Sequence, residues 1–131
     1  MLFLDLDEFK PINDTHGHEA GDRFLVEITA SIGSRLRRGD VLARMGGDEF
    51  AILLVGCSHA QAENIASYLL DMIRDFTLLW NGHGLRVGVS IGVTCLDDST
   101  TSAADAMRVA DDACYEAKRS GRNRVAGSPV A

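Results

Sequence analysis

A glycine turn between two apolar runs constrains the fold of this chain more than any other stretch. Residues 40–44 read as a short strand and residues 50–55 as a buried one. Gly46-Gly47 lies where a two-residue turn with positive φ is needed. The sequence therefore predicts a β-hairpin with these glycines at its tip.

Two carboxylates, Asp48 and Glu49, follow the glycines directly. Adjacent carboxylates repel each other unless a cation or a proton compensates their charge. A third acid, Asp5, follows the apolar run of residues 1–4, which reads as a buried central strand. If that strand lies beside the hairpin, the three acids meet.

Carboxylates from adjacent strands are ligands that suit Mg²⁺, which keeps waters and phosphates in the rest of its shell. Two such ions can stabilise the attacking and leaving oxygens of an in-line displacement at phosphorus. The alternative is that acids at strand ends simply face water. The spacing alone leaves both interpretations open.

Composition restricts the class of protein. The chain has 131 residues, of which 46% are hydrophobic and 24% charged, which is typical of one globular domain with a sizeable core. Its net charge of -6 argues against binding a nucleic acid polymer or a membrane surface, because both rely on surplus basic residues. A phosphate ligand carried on Mg²⁺ remains compatible with this charge.

The cysteines predict neither a zinc site nor a disulfide framework. Cys57, Cys95 and Cys114 are far apart, odd in number and set among apolar neighbours. They are typical of reduced thiols in a cytoplasmic protein. No run resembles a signal peptide or a membrane span.

Hydrophobic periodicity predicts three longer helices, over residues 22–36, from Ser58 or His59 to Phe76, and over residues 102–119. The other predicted elements are a helical turn over residues 9–14, a glycine-rich break over residues 15–21, a turn over residues 80–84, a strand over residues 85–95, a polar loop over residues 97–101 and a short strand over residues 124–126. This order does not alternate strictly between strand and helix. It favours an α+β, ferredoxin-like fold, with a mixed or antiparallel sheet and helices on one face.

Other polar residues allow two interpretations each. Backbone N–H groups of residues 8–10 could bind a phosphate with Lys10 as counter-charge, or Lys10 could be an exposed loop lysine. Asn13 and Asp22 are explained locally as turn and cap residues. His16 and His18 have a spacing seen at metals, but with no third ligand of that kind nearby, turn and packing roles are favoured.

Two groups of basic residues also allow two interpretations each. One is a cluster at the end of the last helix, which is either a phosphate clamp or a solvated helix end, since cations suit the helix dipole there. It contains Lys118, Arg119, Arg122 and Arg124. The other is the Arg-x-x-Asp pattern of Arg37 and Asp40, which is either a charged helix stop or an anion site.

Several motifs share one order with a known family. They are residues 46–50 (Gly-Gly-Asp-Glu-Phe), residues 5–14 (Asp-Leu-Asp-Glu-Phe-Lys-Pro-Ile-Asn-Asp), Gly17-His18, Gly21-Asp22, residues 90–93 (Ser-Ile-Gly-Val), residues 110–113 (Ala-Asp-Asp-Ala), Tyr115, Ala117-Lys118 and residues 121–123 (Gly-Arg-Asn). Together they span nearly the whole chain, which resembles the GGDEF domains of bacterial diguanylate cyclases.

The resemblance implies that two GTP molecules are condensed into cyclic di-GMP with loss of two pyrophosphates. It also implies a palm-like fold of the nucleotidyl-cyclase type, with a mainly antiparallel sheet flanked by helices. Asp5, the backbone carbonyl of Leu6 and Asp48 would hold Mg²⁺ or Mn²⁺. Glu49 would help bind a second metal ion and favour deprotonation of the attacking 3′-hydroxyl.

The same resemblance assigns substrate contacts. Glu8, Phe9 and Lys10 would contact phosphates, and Lys118 and Arg122 would close on the terminal phosphate.

Asn13 and Asp22 would recognise guanine, which reverses the local preference for a cap at Asp22. Guanine presents N1–H and an amino group to a carboxylate, whereas adenine presents an acceptor at N1. A polar group left unpaired in this way discriminates by roughly 10⁴.

The family's reaction needs two domains, because each holds one GTP and each hydroxyl attacks the other's α-phosphate. A homodimer is therefore expected. Arg37 and Asp40 match the family's inhibitory Arg-x-x-Asp position, where cyclic di-GMP would bind through bidentate arginine contacts. The alternative function is a non-catalytic module that binds GTP or cyclic di-GMP within a larger signalling protein.

The family usually begins with a helix carrying Asp-x-Leu-Thr-Gly-Leu-x-Asn-Arg before the first strand, and this chain shows no such segment. We therefore expect residues 1–127 to be a GGDEF domain without that helix, followed by a short tail over residues 128–131. The full-length protein would carry an upstream sensory domain.

Overall fold

The structure is a computed structural model that describes residues 1–96 and 102–127. Within these residues the strands are β1 (Leu2–Asp7), β2 (Val41–Gly46), β3 (Glu49–Leu53), β4 (Leu78–Trp80), β5 (His83–Leu85), β6 (Gly88–Val93) and β7 (Arg124–Gly127). The helices are α1 (Lys10–His16), α2 (His18–Gly33), α3 (His59–Asp75) and α4 (Ala103–Arg119).

The main sheet has the strand order β2-β3-β1-β6-β7, with β1 at its centre. Neighbouring strands are antiparallel except β6 and β7, which are parallel. Strands β4 and β5 form a separate hairpin. The prediction of an α+β fold with a mixed, mainly antiparallel sheet is confirmed.

Helices cover both faces of this sheet, so the prediction of helices on one face is wrong. Successive side chains of a strand point to opposite faces. Leu2 and Leu4 of β1 belong to a core cluster with residues of α2 and α3, whereas Phe3 packs with Ala110 and Cys114 of α4. A central strand that is buried on both faces reads as an unbroken apolar run, and such a run does not reveal how the helices divide.

The approach of α4 to β6 depends on Gly92. A Cβ atom built at this residue would lie 2.0 Å from the carbonyl oxygen of Ala110 and 2.4 Å from the backbone nitrogen of Cys114. Both are backbone atoms, so a side chain could be accommodated only if the helix moved. The alanine-rich face of α4 therefore lies directly on the sheet.

Two element boundaries differ from the sequence prediction. Helix α2 begins at His18 instead of residue 22, because the chain breaks at Gly17, with φ of +92°, while Gly21 is helical. The predicted long strand over residues 85–95 is shorter, and a β4–β5 hairpin precedes it. Asn81 and Gly82 form its turn with φ of +48° and +82°, as a type I′ turn requires.

The predicted helix that starts at Ser58 or His59 is confirmed, with Ser58 as N-cap and Gln61 completing a capping box. The predicted last helix and short last strand are also present. The predicted polar loop over residues 97–101 and the tail over residues 128–131 lie outside the described residues. Among the described helices, none is both long and apolar enough to cross a membrane.

We expect Gly92→Ala to lower the free energy of unfolding by about 3 kcal/mol, at the upper end of overpacking costs, because the added methyl group meets helix backbone. Gly33→Ala is the matched control, since a Cβ atom there meets nothing within 4 Å and alanine favours helix. Urea unfolding measures both. Equal stability of the two variants would contradict this account of how α4 packs.

Candidate metal and nucleotide site

The pairing of β1 with β3 brings the predicted acidic residues together. Asp5 lies directly opposite Glu49 in the antiparallel register, and the backbone N–H of Leu6 donates to the carbonyl of Asp48 at 3.1 Å. The N–H and C=O of one strand residue point to the same neighbouring strand. The Leu6 carbonyl therefore lies on the same side of β1 as Asp48.

The turn of the hairpin is shifted by one residue from its predicted position. Gly46 pairs with Glu49, so the two-residue turn is Gly47-Asp48 instead of Gly46-Gly47. An irregularity in the pairing between Arg44 and Gly46 accounts for the shift. The Arg44 side chain also donates from Nε to the carbonyl of Gly47 at 2.8 Å, which ties the turn to β2.

Lys118 is the cation that compensates these acids. Its Nζ lies 3.3 Å from Asp5 Oδ2 and 3.5 Å from Asp7 Oδ1. Burial acts to lower the pKa of Lys118, but the charges of Asp5 and Asp7 outweigh it and raise this pKa above its ordinary value. The ammonium group therefore stays charged within a largely buried cluster.

Asp7 was not singled out from the sequence, yet it is more deeply buried than Asp5. Its carboxylate accepts hydrogen bonds from Ser90 Oγ at 2.9 Å and from the backbone N–H of Asn123 at 2.8 Å. It thereby joins β1, β6 and the connection between α4 and β7. The signal was present, because residues two apart on a strand share a face and Asp7 follows Asp5 by two.

Asp5 has a pKa well above the ordinary value for an aspartate. Burial is the main cause that raises its pKa to about 6, Lys118 opposes the shift, and the neighbouring charges of Asp48 and Glu49 add to it. A cation placed among these carboxylates would relieve that repulsion. The electrostatics of the cluster therefore favour a further positive charge.

The donor chemistry of this cluster fits a hard divalent cation. Asp5, Asp48 and the Leu6 carbonyl all present oxygen atoms, which Mg²⁺ prefers. Within residues 1–96 and 102–127, no three His, Cys, Asp or Glu side chains are arranged to hold a metal ion by themselves.

The structure places Asn13 against Gly21, the residue before Asp22. A Cβ atom built on Gly21 would overlap the Asn13 side-chain oxygen, so Asn13 lies directly against the backbone that precedes Asp22. Asp22 is exposed and makes no cap, since α2 starts four residues earlier. It opens into a cavity of about 650 Å³. The lining residues are Asp22, Leu25, Val26, Thr29, Ala30 and Arg44.

The turn between β1 and α1 exposes two of the three residues predicted to contact phosphates. Glu8, with φ of +62°, and Lys10 are exposed. Phe9 is buried, and its ring packs against Phe24 with centroids 6.2 Å apart.

Arg122 lines a neighbouring groove of about 540 Å³ together with Arg74 and Arg86. Glu8 and Asp7 border the same groove, so it lies next to the acidic cluster. Three guanidinium groups around one groove form an environment suited to phosphate.

Arg37 and Asp40 form a closed pair away from the acidic cluster. Asp40 accepts hydrogen bonds from the backbone N–H of Arg37 at 2.8 Å and of Val55 at 3.2 Å. Burial acts to raise the pKa of Asp40, but its hydrogen bonds with Arg37 and Val55 hold it below its ordinary value. Arg37 also donates to the carbonyl of Val55 at 2.6 Å. Arg37 and Asp40 therefore bind the segment around Val55 as well as following the end of α2.

The two histidines of the α1–α2 connection follow the interpretation favoured by the sequence. The ring of His16 packs against that of His83 with centroids 5.3 Å apart, and His18 is exposed at the first position of α2.

Comparison with known proteins places the chain in a family. The family model described as "Diguanylate cyclase, GGDEF domain" matches residues 1–124. The chain therefore belongs to the GGDEF domain family, and the resemblance inferred from its motifs is confirmed. The palm-like form of the fold is confirmed as well by the solved structures that follow.

Among curated proteins, the chain is 46% identical over 125 residues to the probable diguanylate cyclase DgcE of Escherichia coli K12, covering 95% of this chain and 11% of that protein. It is 39% identical to diguanylate cyclase A of Treponema denticola, covering 95% of this chain and 34% of that protein. The chain thus spans between about a tenth and a third of these relatives.

Among solved structures, it is similar to the GGDEF domain of YfiN from Pseudomonas aeruginosa, with a TM-score of 0.90 and 36% identity over 99% of this chain and 81% of that one. It is also similar to the GGDEF domain of DgcB from Caulobacter crescentus, solved in complex with c-di-GMP. That match has a TM-score of 0.89 and 29% identity, over 96% of this chain and 75% of that one.

We expect the Asp5 carboxyl to titrate at about pH 6 in the metal-free protein, well above the ordinary value of 3.8. Lys118→Met should raise this midpoint, because a positive charge is removed, and Asp48→Asn should lower it, because a negative charge is removed. Carboxyl ¹³C NMR measures all three, with Asp40 as the internal control that titrates below its ordinary range. A midpoint near 4, or one that Lys118→Met leaves unmoved, would contradict the cluster's electrostatics.

Proposed function

We propose that this chain is the catalytic domain of a diguanylate cyclase, which condenses two GTP into cyclic di-GMP and two pyrophosphates. The observation that carries the proposal is the convergence of Asp5, Asp48 and Glu49 through the β1–β3 register, in a chain that belongs to the GGDEF family. The curated relatives named diguanylate cyclases support it.

Asp5, the Leu6 carbonyl and Asp48 would hold Mg²⁺ or Mn²⁺. When bound, the cation neutralises charge that develops on the reacting phosphate oxygens. Glu49 is half-buried beside Asp5. It would accept the proton of the attacking 3′-hydroxyl. It would also contribute to a second cation.

Lys118 and Arg122 take the terminal phosphate. In the ligand-free chain Lys118 lies between Asp5 and Asp7, so a bound metal ion would compete with its ammonium group for the Asp5 carboxylate. Lys118 would then be free to contact the terminal phosphate. Glu8, Lys10 and the backbone of Phe9 border the phosphate path.

Asn13 and Asp22 recognise the guanine base. The contact of Asn13 with Gly21, next to Asp22 in the sequence, supports this role, as does the cavity that Asp22 borders. Asp22 is exposed in the ligand-free chain, and a bound guanine would bury its carboxylate. An adenine would then leave the carboxylate facing an acceptor, which is the basis of selectivity.

Catalysis needs two copies of this domain, because one domain supplies one GTP. We propose a homodimer in which each 3′-hydroxyl attacks the partner's α-phosphate. Residues 1–127 would act as the catalytic unit of a longer signalling protein, whose upstream sensory domain sets the dimer geometry. The chain's small share of its curated relatives is compatible with such an arrangement.

Arg37 and Asp40 form the proposed site of product inhibition. Because Arg37 is already bonded to Asp40 and to the Val55 carbonyl, cyclic di-GMP would have to draw the exposed guanidinium group away from these partners. Asp40 would keep its backbone donors at Arg37 and Val55 after that exchange.

We expect Glu49→Gln to lower the rate of cyclic di-GMP formation by about 100-fold or more, since a positioned general base is lost. Glu116→Gln, on the exposed face of α4, is the matched control and should keep the wild-type rate. Chromatography after incubation with GTP and Mg²⁺ at high protein concentration measures the product. No product from the wild-type chain, with GTP still bound in calorimetry, would favour the alternative of a non-catalytic binding module.

We expect Arg37→Ala to abolish inhibition by added cyclic di-GMP while the initial rate without product is unchanged. Asp40 retains two backbone hydrogen bonds in this variant, so the fold should persist. Initial rates across a product titration provide the test. Inhibition with wild-type strength in Arg37→Ala would rule out this pair as the product site.

A further inference from the structure

A second cluster of reactive side chains lies at the end of the sheet opposite the acidic site. Cys95 follows β6 by two residues, next to Met1 at the start of β1. Its Sγ lies 3.4 Å from Nδ1 of His59, the first residue of α3. Nε2 of the same ring lies 2.8 Å from Oε1 of Glu63, one helical turn further along.

The order of these contacts defines the roles of the two ring nitrogens. An ionised carboxylate only accepts hydrogen bonds, so Glu63 requires the hydrogen of a neutral His59 to be on Nε2. Nδ1 then presents its lone pair to the Cys95 thiol. A nucleophile, a base and a group that orients the base are thus in contact, which is the usual arrangement for activating a cysteine.

The surroundings hold this arrangement in place. A Cβ atom built at Gly127, the end of β7, would lie 2.9 Å from Glu63 Oε1 and 3.2 Å from His59 Nε2. The absence of a side chain therefore gives the pair its room. Cys95 also borders a cavity of about 210 Å³, large enough for a small reagent to reach the sulfur.

Neither of the other two thiols lies against an imidazole. Cys57 borders the same cavity, but the group at 3.3 Å from its sulfur is the Arg37 guanidinium, which has only donors and cannot take a proton. Cys114 is buried and donates to the Ser90 carbonyl, and burial raises its pKa to about 12. Of the three free thiols, Cys95 is the one whose sulfur lies within hydrogen-bond distance of an imidazole nitrogen.

We propose that Cys95 is a modification site at which a hydroperoxide oxidises the thiol, with His59 as base and Glu63 as positioning residue. The Cys95 sulfur bonds to the terminal oxygen of the hydroperoxide and the O–O bond breaks. The thiol proton passes through His59 to the departing oxygen, which leaves as an alcohol or as water. The sulfur is oxidised to sulfenic acid and the peroxide is reduced, so atoms and electrons balance.

The test treats the whole chain with hydrogen peroxide, blocks the remaining thiols with N-ethylmaleimide and follows the three cysteine peptides by mass spectrometry. Cys95 should be consumed first and Cys114 should stay reduced. In Cys57→Ser, where no other thiol borders the cavity, dimedone should trap the sulfenic acid on Cys95. Earlier loss of Cys57 or Cys114, or no dimedone adduct on Cys95, would overturn the proposal.

Variants of His59 distinguish a role in activating the Cys95 thiol from a role in packing. His59→Gln should slow the oxidation of Cys95 about tenfold at neutral pH, a limited factor because a free thiol is already a few per cent ionised there. The difference in oxidation rate between the wild type and His59→Gln should narrow towards about pH 10, where a thiol ionises in water without a base. Among the residues that the structure describes, the titratable groups near the sulfur besides His59 and Glu63 are Cys57 and the Met1 amine, which these variants retain.

The matched control is His16→Gln, because His16 is also a partly exposed histidine. In this variant Cys95 should be oxidised at the wild-type rate. Glu63→Gln should keep the rate, because its amide oxygen still accepts from Nε2, whereas Glu63→Leu should lower it. A wild-type rate in His59→Gln, or an equal gap at every pH, would assign His59 a packing role and overturn the proposal.

Discussion

The antiparallel register of β1 against β3 sets Asp5 opposite Glu49 and hydrogen-bonds Leu6 to Asp48. A shift of one residue would turn Asp5 to the other face of the sheet and separate the acids. That register is set by apolar partners such as Leu2 with Ile52 and Leu4 with Phe50. The same pairs that build the core therefore position the proposed chemistry.

Carboxylates that lie close together repel each other, and Lys118 reduces this repulsion in the ligand-free chain. The ammonium group lies between Asp5 and Asp7, and Asp7 is in turn fixed by Ser90 and the Asn123 backbone. Lys118 thus offsets part of the negative charge of the cluster, and the remaining charge favours a further cation. The proposed binding of nucleotide would exchange these contacts of Lys118 for contacts with a phosphate.

Much of the fold and of the candidate site could be predicted because the strongest signals are local. The hairpin, the capped start of α3 and the convergence of Asp5, Asp48 and Glu49 follow from turn residues, helix caps and strand ends. The family resemblance confirmed by comparison came from motifs in a fixed order. The roles of the individual site residues stay predictions that the proposed variants test.

The features that were missed depend on contacts between distant residues. Nothing local shows that α4 lies on the face opposite α2 and α3, because a central strand is apolar at every position. The partners of Asp7 come from β6 and from the segment after α4. The β4–β5 hairpin is different, since Asn81-Gly82 is a strong local hairpin signal and the prediction of a turn over residues 80–84 lacks only its two short strands.

The central claim is that Asp5, Asp48 and Glu49 form one metal and nucleotide site, in which Lys118 holds the place of a cation until ligands bind. A crystal structure with a non-reactive GTP analogue and Mn²⁺, located by its anomalous scattering, tests this directly. The account predicts Mn²⁺ bound to Asp5, Asp48 and the Leu6 carbonyl, with Lys118 moved to the terminal phosphate. A nucleotide bound elsewhere, with Lys118 still between Asp5 and Asp7, would contradict it.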